Sequence, residues 1–197
     1  RQTESIAKKL SSKTGWDVEY AMRYEDPSIE SALLNFKNKG IFELIVISLY
    51  PHNAMATTIT TEMETRIVAH KVSGDFKLTF TKPFFDNEIY IDAVSNSIKP
   101  FIEKDSFDKI IFSYHGIPKR QAKKTDETGE HCFSTGNCCE VEGEGSKDCY
   151  RSHTRIASDL TAKKLGLNDD QWEVAYQSRI GPGSVSYTHL RAHETVG

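Results

Sequence analysis

The 197 residues are 38% hydrophobic and 27% charged, a composition that is ordinary for a globular protein and excludes a disordered or fibrous chain. The formal net charge of -3 gives no general attraction for nucleic acid or anionic lipid, so nucleic acid is not expected as a partner. The most apolar run, residues 41–50, is far shorter than the roughly 20 residues that span a bilayer. No transmembrane helix is therefore predicted.

The chain begins with a helical pattern over residues 1–10. Because its first residue is Arg1 rather than Met, we expect neither a signal peptide nor the natural N-terminus. Strand-like runs follow, each with a proline close behind, in residues 16–27, 42–51, 107–118 and 172–182. Helical patterns lie between them, in residues 28–39, 57–72, 88–103 and 147–165.

This alternation of strands and helices predicts the α/β class. The runs LIVISL and IIFS are almost continuously apolar, which predicts strands covered on both faces in a parallel sheet. Ligands of such sheets bind beyond the carboxyl ends of the strands. The side chains expected there are Arg23, Tyr24, Tyr50, His52, His115 and Arg179.

Among these residues, His115 has the most suggestive surroundings. It ends the run IIFSYH, and Gly116 and Pro118 then turn the chain, which leaves the imidazole at the edge of the sheet. A neutral imidazole can bind a metal or accept a proton near neutral pH. The alternative is a histidine that only caps a strand.

A polar segment, residues 119–146, interrupts the rhythm of strands and helices and is predicted to be an inserted loop. The segment and the start of the next helix contain all four cysteines, Cys132, Cys138, Cys139 and Cys149, spaced C-x5-C-C-x9-C. Such clustering suggests a shared ligand. A disulfide pair is one alternative, and a zinc site is another, although the two C-x2-4-C knuckles typical of zinc sites are absent.

The end of the chain has a different character. Residues 185–195, VSYTHLRAHET, have neither helical nor strand periodicity and look like the in-frame translation of a sequencing-library adapter. A genuine polar loop is the alternative. We expect residues 184–197 to be non-native, and the recurring strand layout before them suits two related halves with a junction near residues 86–89.

Four motifs in order give the sequence a specific family resemblance. FSYHGIP resembles the ferrochelatase signature F-S-x-H-G-x-P, AMRYEDP resembles M-R-Y-x-x-P, SLYPHNAMATT resembles P-L-Y-P-Q-Y-S-x-S-T-T, and YQSRIGP resembles F-Q-S-R-x-G-P. The sequence departs from this pattern at Asn53 and Ala54, where an aromatic residue and serine are common, which puts polar contacts from that loop in doubt. The resemblance extends over residues 16–182.

This resemblance implies two Rossmann-like halves, residues 1–87 and 88–183 with the cysteine-rich insert 119–149, both incomplete in this chain. It implies insertion of Fe²⁺ into a porphyrin held between them, protoporphyrin or coproporphyrin, in heme synthesis. His115 then matches the family residue that ligates iron, accepts the pyrrole protons, or does both. The glutamate that works beside it in the family, later in the chain, has no counterpart here.

The resemblance also implies substrate contacts. Arg23, in M-R-Y, could pair with a porphyrin propionate through a bidentate contact, and Arg179 matches a second arginine of the same kind. Tyr50 could border the macrocycle. Surface ion pairing is the alternative for the arginines, and core packing is the alternative for the tyrosine.

Some bacterial ferrochelatases hold a [2Fe-2S] cluster through four cysteines in an internal segment at this location, which implies the same for Cys132, Cys138, Cys139 and Cys149. Heme synthesis without a secretion signal favours the cytoplasm, where structural disulfides are rare. His131 is a candidate substitute ligand, although four thiolates leave it no vacancy. In other cluster-bearing members one ligand lies in the tyrosine–proline loop, where this chain has Met55.

Two other functions stay open at this level. One is a sensor module that binds porphyrin or an iron-sulfur cluster without turnover, and the other is a chelatase for another metal. Peripheral contact with a membrane and the oligomeric state are also open.

Overall fold

The computed structural model describes residues 2–141 and 143–177. Helices and strands alternate along them as the sequence predicts. In chain order the elements are α1 (Gln2–Thr14), α2 (Ile29–Asn38), β1 (Glu43–Val46), α3 (Thr60–Val72), β2 (Lys77–Phe80), α4 (Glu88–Lys104), β3 (Ile110–His115), α5 (Lys119–Lys124), α6 (Tyr150–Lys164) and β4 (Trp172–Gln177). A π-helical turn, Met55–Ile59, leads into α3, and two short 3₁₀ turns cover Cys138–Glu140 and Asp169–Gln171.

The strands form two parallel pairs. In the first pair β1 lies beside β2, with Glu43 opposite Lys77. In the second pair β3 lies beside β4, with Ile110 opposite Trp172 and His115 opposite Gln177. Parallel neighbours need a long crossover, which α3 supplies in the first pair and the segment containing α5 and α6 supplies in the second. The α/β class is therefore confirmed.

The chain divides into two compact units, and each is described by itself. The described residues of the first unit are 2–49 and 59–82, which contain β1 and β2. Those of the second unit are 50–58, 83–141 and 143–177, which contain β3 and β4.

The first unit has an apolar core. Leu33 of α2, Leu44 of β1, and Val68 and Ala69 of α3 are each 9% exposed or less and pack together. Helix α2 begins cleanly because the Ser28 hydroxyl accepts a hydrogen bond from the Ser31 amide, 3.1 Å away. Burying these aliphatic side chains stabilises the β1–β2 pair against its helices.

The second unit is built around α6, whose inward face is polar. Its buried residues are Ser152, His153, Thr154, Ala157, Ser158, Thr161 and Ala162. Helix α4 packs against it and is capped by Asn87, whose side-chain oxygen accepts from the Ile89 amide at 3.0 Å. Small residues let α6 lie close to its neighbours, and its hydroxyls require hydrogen-bond partners there.

The structure corrects several sequence predictions. Residues 16–27 form no strand; the Met22 amide instead bonds the Pro27 carbonyl at 2.8 Å, so the segment turns back on itself. The strand β2 was not predicted, because KLTF is short and lacks an apolar run. Helix α6 starts at Tyr150 rather than at 147, after a turn in which the Cys149 amide bonds the Ser146 carbonyl.

Coverage of the strands on both faces was also predicted and is not observed. Ile45 of β1 is 55% exposed and Ile111 of β3 is 44% exposed, although Leu44 is buried. The packing of α2 and α3 reaches β1 on the Leu44 face, so the alternate face is left open within the described residues. No helix among these residues is long and apolar enough to cross a membrane.

Candidate functional site

The carboxyl end of β3 places His115 at the edge of the β3–β4 pair. Along β3 half-buried and exposed residues alternate, and His115 is on the exposed face. The Gly116 amide donates to the Gln177 carbonyl at 2.7 Å, and Gly116 and Ile117 are buried. The backbone is therefore fixed on both sides of the strand end while the imidazole remains accessible.

The opposite face of the same strands is tied to α6 by tyrosine hydroxyls. Tyr114 bonds Ser158 at 2.9 Å, and Tyr176 bonds Thr154 at 2.7 Å. Burial raises the pKa of both tyrosines, so both stay protonated at neutral pH. These two hydrogen bonds fix the positions of β3 and β4 along the axis of α6.

His52 lies beside this tyrosine layer, on the loop of residues 50–58. Its ring meets Tyr114 edge-on at 5.4 Å between centroids and Tyr150 at 6.0 Å. Burial, with a smaller repulsion from His153, lowers the pKa of His52 to about 4, so the ring is neutral near pH 7. Its Nε2 is buried without a hydrogen-bond partner among the described residues.

The cysteine-rich segment is organised by Asp126. The Asp126 carboxylate accepts hydrogen bonds from the Thr128 hydroxyl at 2.6 Å, the Cys132 amide at 2.7 Å and the His131 amide at 2.9 Å. The Thr128 hydroxyl first, and then the backbone amides, lower the pKa of Asp126 to about 2. Gly145 is needed here, because a Cβ at that position would collide with the His131 side chain.

None of the four cysteines forms a disulfide, and the contacts between them are pairwise. The Cys138 and Cys139 sulfurs are 3.8 Å apart, and a hydrogen bond joins Cys139 to Cys149. The Phe133 amide points at the Cys138 sulfur from 3.4 Å. Cys138 and Cys149 are buried, at 3% and 4% exposed.

Burial and mutual repulsion set the proton affinities of these thiols. Burial first, and then the charges of Cys149 and Cys138, raise the pKa of Cys132 to about 11. The hydrogen bond between Cys139 and Cys149 raises the pKa of Cys139 and lowers that of Cys149. Backbone amides of Ser152 and Arg151 at the start of α6 also favour the Cys149 thiolate.

These thiols do not form a ready site for a single metal ion. Within residues 2–141 and 143–177, no three His, Cys, Asp or Glu side chains are grouped so as to hold one ion. His131 is not free to substitute, because its Nε2 lies 2.7 Å from the Cys138 carbonyl. A [2Fe-2S] cluster needs a different arrangement, because each of its two irons binds two of the four thiolates. The contact between Cys138 and Cys139 matches the sulfur separation of about 3.8 Å expected for two thiolates on one tetrahedral metal at about 2.3 Å.

The residues predicted to contact the substrate, Arg23 and Tyr50, lie in different units. In the first unit Arg23 lies 3.7 Å from Glu64 and over the Tyr24 ring at 4.8 Å. In the second unit Tyr50 is 40% exposed rather than packed in a core. The prediction for Arg179 falls outside the described residues.

Sequence reasoning missed two residues that join the parts of the second unit. His153 is 1% exposed and bonds both the loop 50–58 and the end of the cysteine-rich segment. Asn53, whose polar contacts were in doubt, donates through its side chain to the Asp148 carbonyl at 3.2 Å. The one sequence signal for His153 is its position four residues after Cys149, one helical turn away.

Comparison with known proteins agrees with the motifs. A family model described as ferrochelatase matches residues 1–185. The ferrochelatase of Stutzerimonas stutzeri (strain A1501) is 39% identical over 180 residues, which cover 90% of this chain and 52% of that protein. That of Pseudomonas fluorescens (strain SBW25) is 38% identical over 165 residues, or 83% and 48%. That of Ectopseudomonas mendocina (strain ymp) is 36% identical over 188 residues, or 92% and 55%.

The chain thus spans about half the length of the curated relatives it matches. The family model extends over both units and through all four motifs. On this evidence the chain belongs to the ferrochelatase family.

Proposed function

We propose that the full-length protein inserts Fe²⁺ into a porphyrin as a lyase of heme synthesis. The observation that carries the proposal is His115, an exposed imidazole on a backbone fixed at the end of β3, in a chain of the ferrochelatase family. Protoporphyrin and coproporphyrin both suit this chemistry. The cytoplasm is the proposed location, because heme synthesis favours a reducing compartment, where structural disulfides are rare.

His115 is the proposed catalytic residue. Metal insertion removes two protons from the pyrrole nitrogens as Fe²⁺ forms its bonds to them. A neutral imidazole nitrogen has a lone pair that can accept one such proton or bind the incoming Fe²⁺, whereas an ammonium or guanidinium would repel the ion. The exposed face of β3 leaves space for a macrocycle to approach the ring.

The test is His115→Ala in the full-length enzyme. Iron insertion should be lost, while porphyrin affinity stays within about tenfold, because the proposed propionate and stacking contacts lie elsewhere. His70→Ala, at an exposed position of α3, is the matched control and should leave both unchanged. Near-normal turnover by the His115 variant would remove the proposed role, and porphyrin binding without any wild-type turnover would favour a sensor.

Arg23, Tyr50 and Arg179 are the proposed porphyrin contacts. Arginine forms bidentate pairs with carboxylates, as a propionate requires. The Arg23 guanidinium has a buried Nε without a partner among the described residues, so its pairing capacity is not used up by Glu64. Half-exposed Tyr50 is available to border an apolar ring.

Cys132, Cys138, Cys139 and Cys149 are the proposed ligands of a [2Fe-2S] cluster. Support comes from the close sulfur pairs, from burial of Cys138 and Cys149, and from the absence of any disulfide between these four residues. Such a cluster supplies one-electron redox chemistry when bound. The protein's own contribution is to hold the four cysteines in a segment fixed by Asp126, with Cys138 and Cys149 buried.

Anaerobic purification tests the cluster. Iron and acid-labile sulfide should be found in equal amounts, about two of each per chain, with visible absorption that Cys132→Ser abolishes. His131→Ala is the control and should keep the absorption, because that ring is bonded to a carbonyl. Stoichiometric zinc without iron or sulfide would contradict the proposal.

Two statements about the chain itself are also proposals. Residues 1–87 and 88–183 are proposed as parts of two related halves. Residues 184–197 are proposed as foreign sequence. Their resemblance to a translated sequencing-library adapter supports this, and so does the family match, which stops at residue 185. Resequencing the source gene should replace VSYTHLRAHET, and its recovery from independent DNA would contradict this.

A further inference from the structure

His153 joins two segments of the second unit that are far apart in sequence. The Asn53 amide donates to its Nδ1 at 3.1 Å, and its Nε2 lies 2.6 Å from the Lys147 carbonyl. An amide N–H can only donate and a carbonyl can only accept, so the ring is neutral with its proton on Nε2. One rigid side chain therefore bonds the loop 50–58 at one nitrogen and the end of the cysteine-rich segment at the other.

The surroundings leave the ring little freedom to adjust. His153 stacks on Phe85 with centroids 3.7 Å apart and planes 12° from parallel. The Asn53 side chain forms a second link beside it, donating to the Asp148 carbonyl at 3.2 Å. Lys147 and Asp148 immediately precede Cys149. Two neighbouring links thus join the loop to the residues that precede Cys149.

We propose that His153 is a positioning residue that holds the loop 50–58 against the end of the cysteine-rich segment, so that porphyrin affinity follows the order of that segment. The inference rests on the proposed function, in which Tyr50 of this loop contacts porphyrin. In this proposal the order of the cysteine-rich segment regulates porphyrin binding at that site. When the cysteine ligands are lost, the Lys147 carbonyl moves, the ring loses one of its two partners, and the loop loses its fixed position.

Two substitutions separate the two bonds. In His153→Asn the side-chain oxygen lies near the former Nδ1 and accepts from the Asn53 amide, but the side chain is too short to reach Lys147. In His153→Gln the amide nitrogen reaches the Lys147 carbonyl, but the Asn53 amide is left unpaired. His70→Gln, on an exposed residue of α3, is the control.

Porphyrin KM, kcat and amide hydrogen exchange are measured in the full-length enzyme. His153→Gln should raise KM about fivefold with kcat within about twofold, and should speed exchange of the Asn53 amide about tenfold. His153→Asn should also raise KM, because its bond to the Lys147 carbonyl is lost, but should keep exchange of the Asn53 amide near the wild-type rate, because that amide still has an acceptor. Cys132→Ser should raise KM in the wild type and add less in the His153→Asn background, where the link through His153 is already cut and only the Asn53–Asp148 bond remains.

A wild-type KM in both histidine variants, or an Asn53 amide that exchanges at the wild-type rate in His153→Gln, would overturn the proposal. If neither histidine variant folds, Asn53→Ala carries the test by removing the second link from the loop side. It should raise KM about threefold and speed amide hydrogen exchange in the loop. If KM and exchange both stayed unchanged, the proposal would also be overturned. The exchange measurements need no porphyrin, so they separate a failure of this inference from a failure of the proposed function.

Discussion

The two units share a parallel strand pair flanked by helices, but their interiors differ in chemistry. In the first unit Leu33, Leu44, Val68 and Ala69 form an apolar core. In the second, Ser152, His153, Thr154, Ser158 and Thr161 are each 3% exposed or less. The first interior is held by burial of hydrocarbon, and the second by hydrogen bonds between α6, two tyrosines and the loop 50–58.

The difference matters because the two kinds of interior fix structure differently. Apolar packing is non-directional and accepts small displacements. A buried hydrogen bond fails when its atoms move apart, since an unpaired polar group is costly in a protein interior. In the second unit, which carries His115 and the cysteines, hydrogen bonds thus fix the orientation of the buried side chains as well as their packing.

The largest expected effect is the loss of packing in the first unit. Leu33→Ala should lower its free energy of unfolding by about 2–5 kcal/mol, because Leu33 is 4% exposed and the cavity cannot fully close. Leu34→Ala, at a neighbouring residue that is 41% exposed, is the matched control and should cost much less. Hydrogen exchange of the β1 amides reports the change in this unit. Similar losses from both substitutions would contradict an apolar core centred on Leu33.

An intermediate effect is expected from pH in the second unit, where His52 lies. The pKa of His52 is about 4 when folded and about 6.5 when unfolded, so the unfolded chain binds more protons between these values. Stability should be full above pH 6.5 and fall as pH drops toward 4, by about 2 kcal/mol after allowance for solvent screening. His153, whose pKa burial also lowers, adds in the same direction.

The measurement is urea unfolding followed by Trp172 fluorescence in a Trp16→Phe background, which leaves one tryptophan. His52→Gln should flatten the dependence, leaving the part due to His153. The same slope with and without His52 would show that its ring is not buried neutral.

The smallest effect should come from one hydroxyl. Thr154→Val keeps the shape of the side chain but removes the partner that lies 2.7 Å from the Tyr176 hydroxyl, which keeps its hydrogen bond with Arg151, so the cost should be about 0.5–1.5 kcal/mol. Thr161→Val is the control, because its hydroxyl bonds only the Ala157 carbonyl of its own helix. Trp172 fluorescence in the same background measures both. If the two substitutions cost the same, the polar interior does not depend on the tyrosine contacts.

Much of this protein could be predicted from the sequence because its signals are local. The apolar runs around Leu44 and Phe112, the helical patterns between the strands, and the turn after His115 depend on neighbouring residues. They predicted the α/β class and the place of His115 at a strand end. The four motifs predicted the family, because each has a fixed spacing and all occur in order.

The tertiary structure decided what depends on distant partners. The strand β2 exists because β1 pairs with it, and residues 16–27 form no strand because no such partner lies beside them in the described residues. His153 and Asn53 acquire their contacts only when loop 50–58 meets residues 147–153, about 100 positions along the chain. The amino-acid sequence by itself determined which chemical groups are present and which short elements they favour. Folding decided which polar groups were buried together. A buried donor bonds an acceptor that lies close to it in space, whatever their separation along the chain.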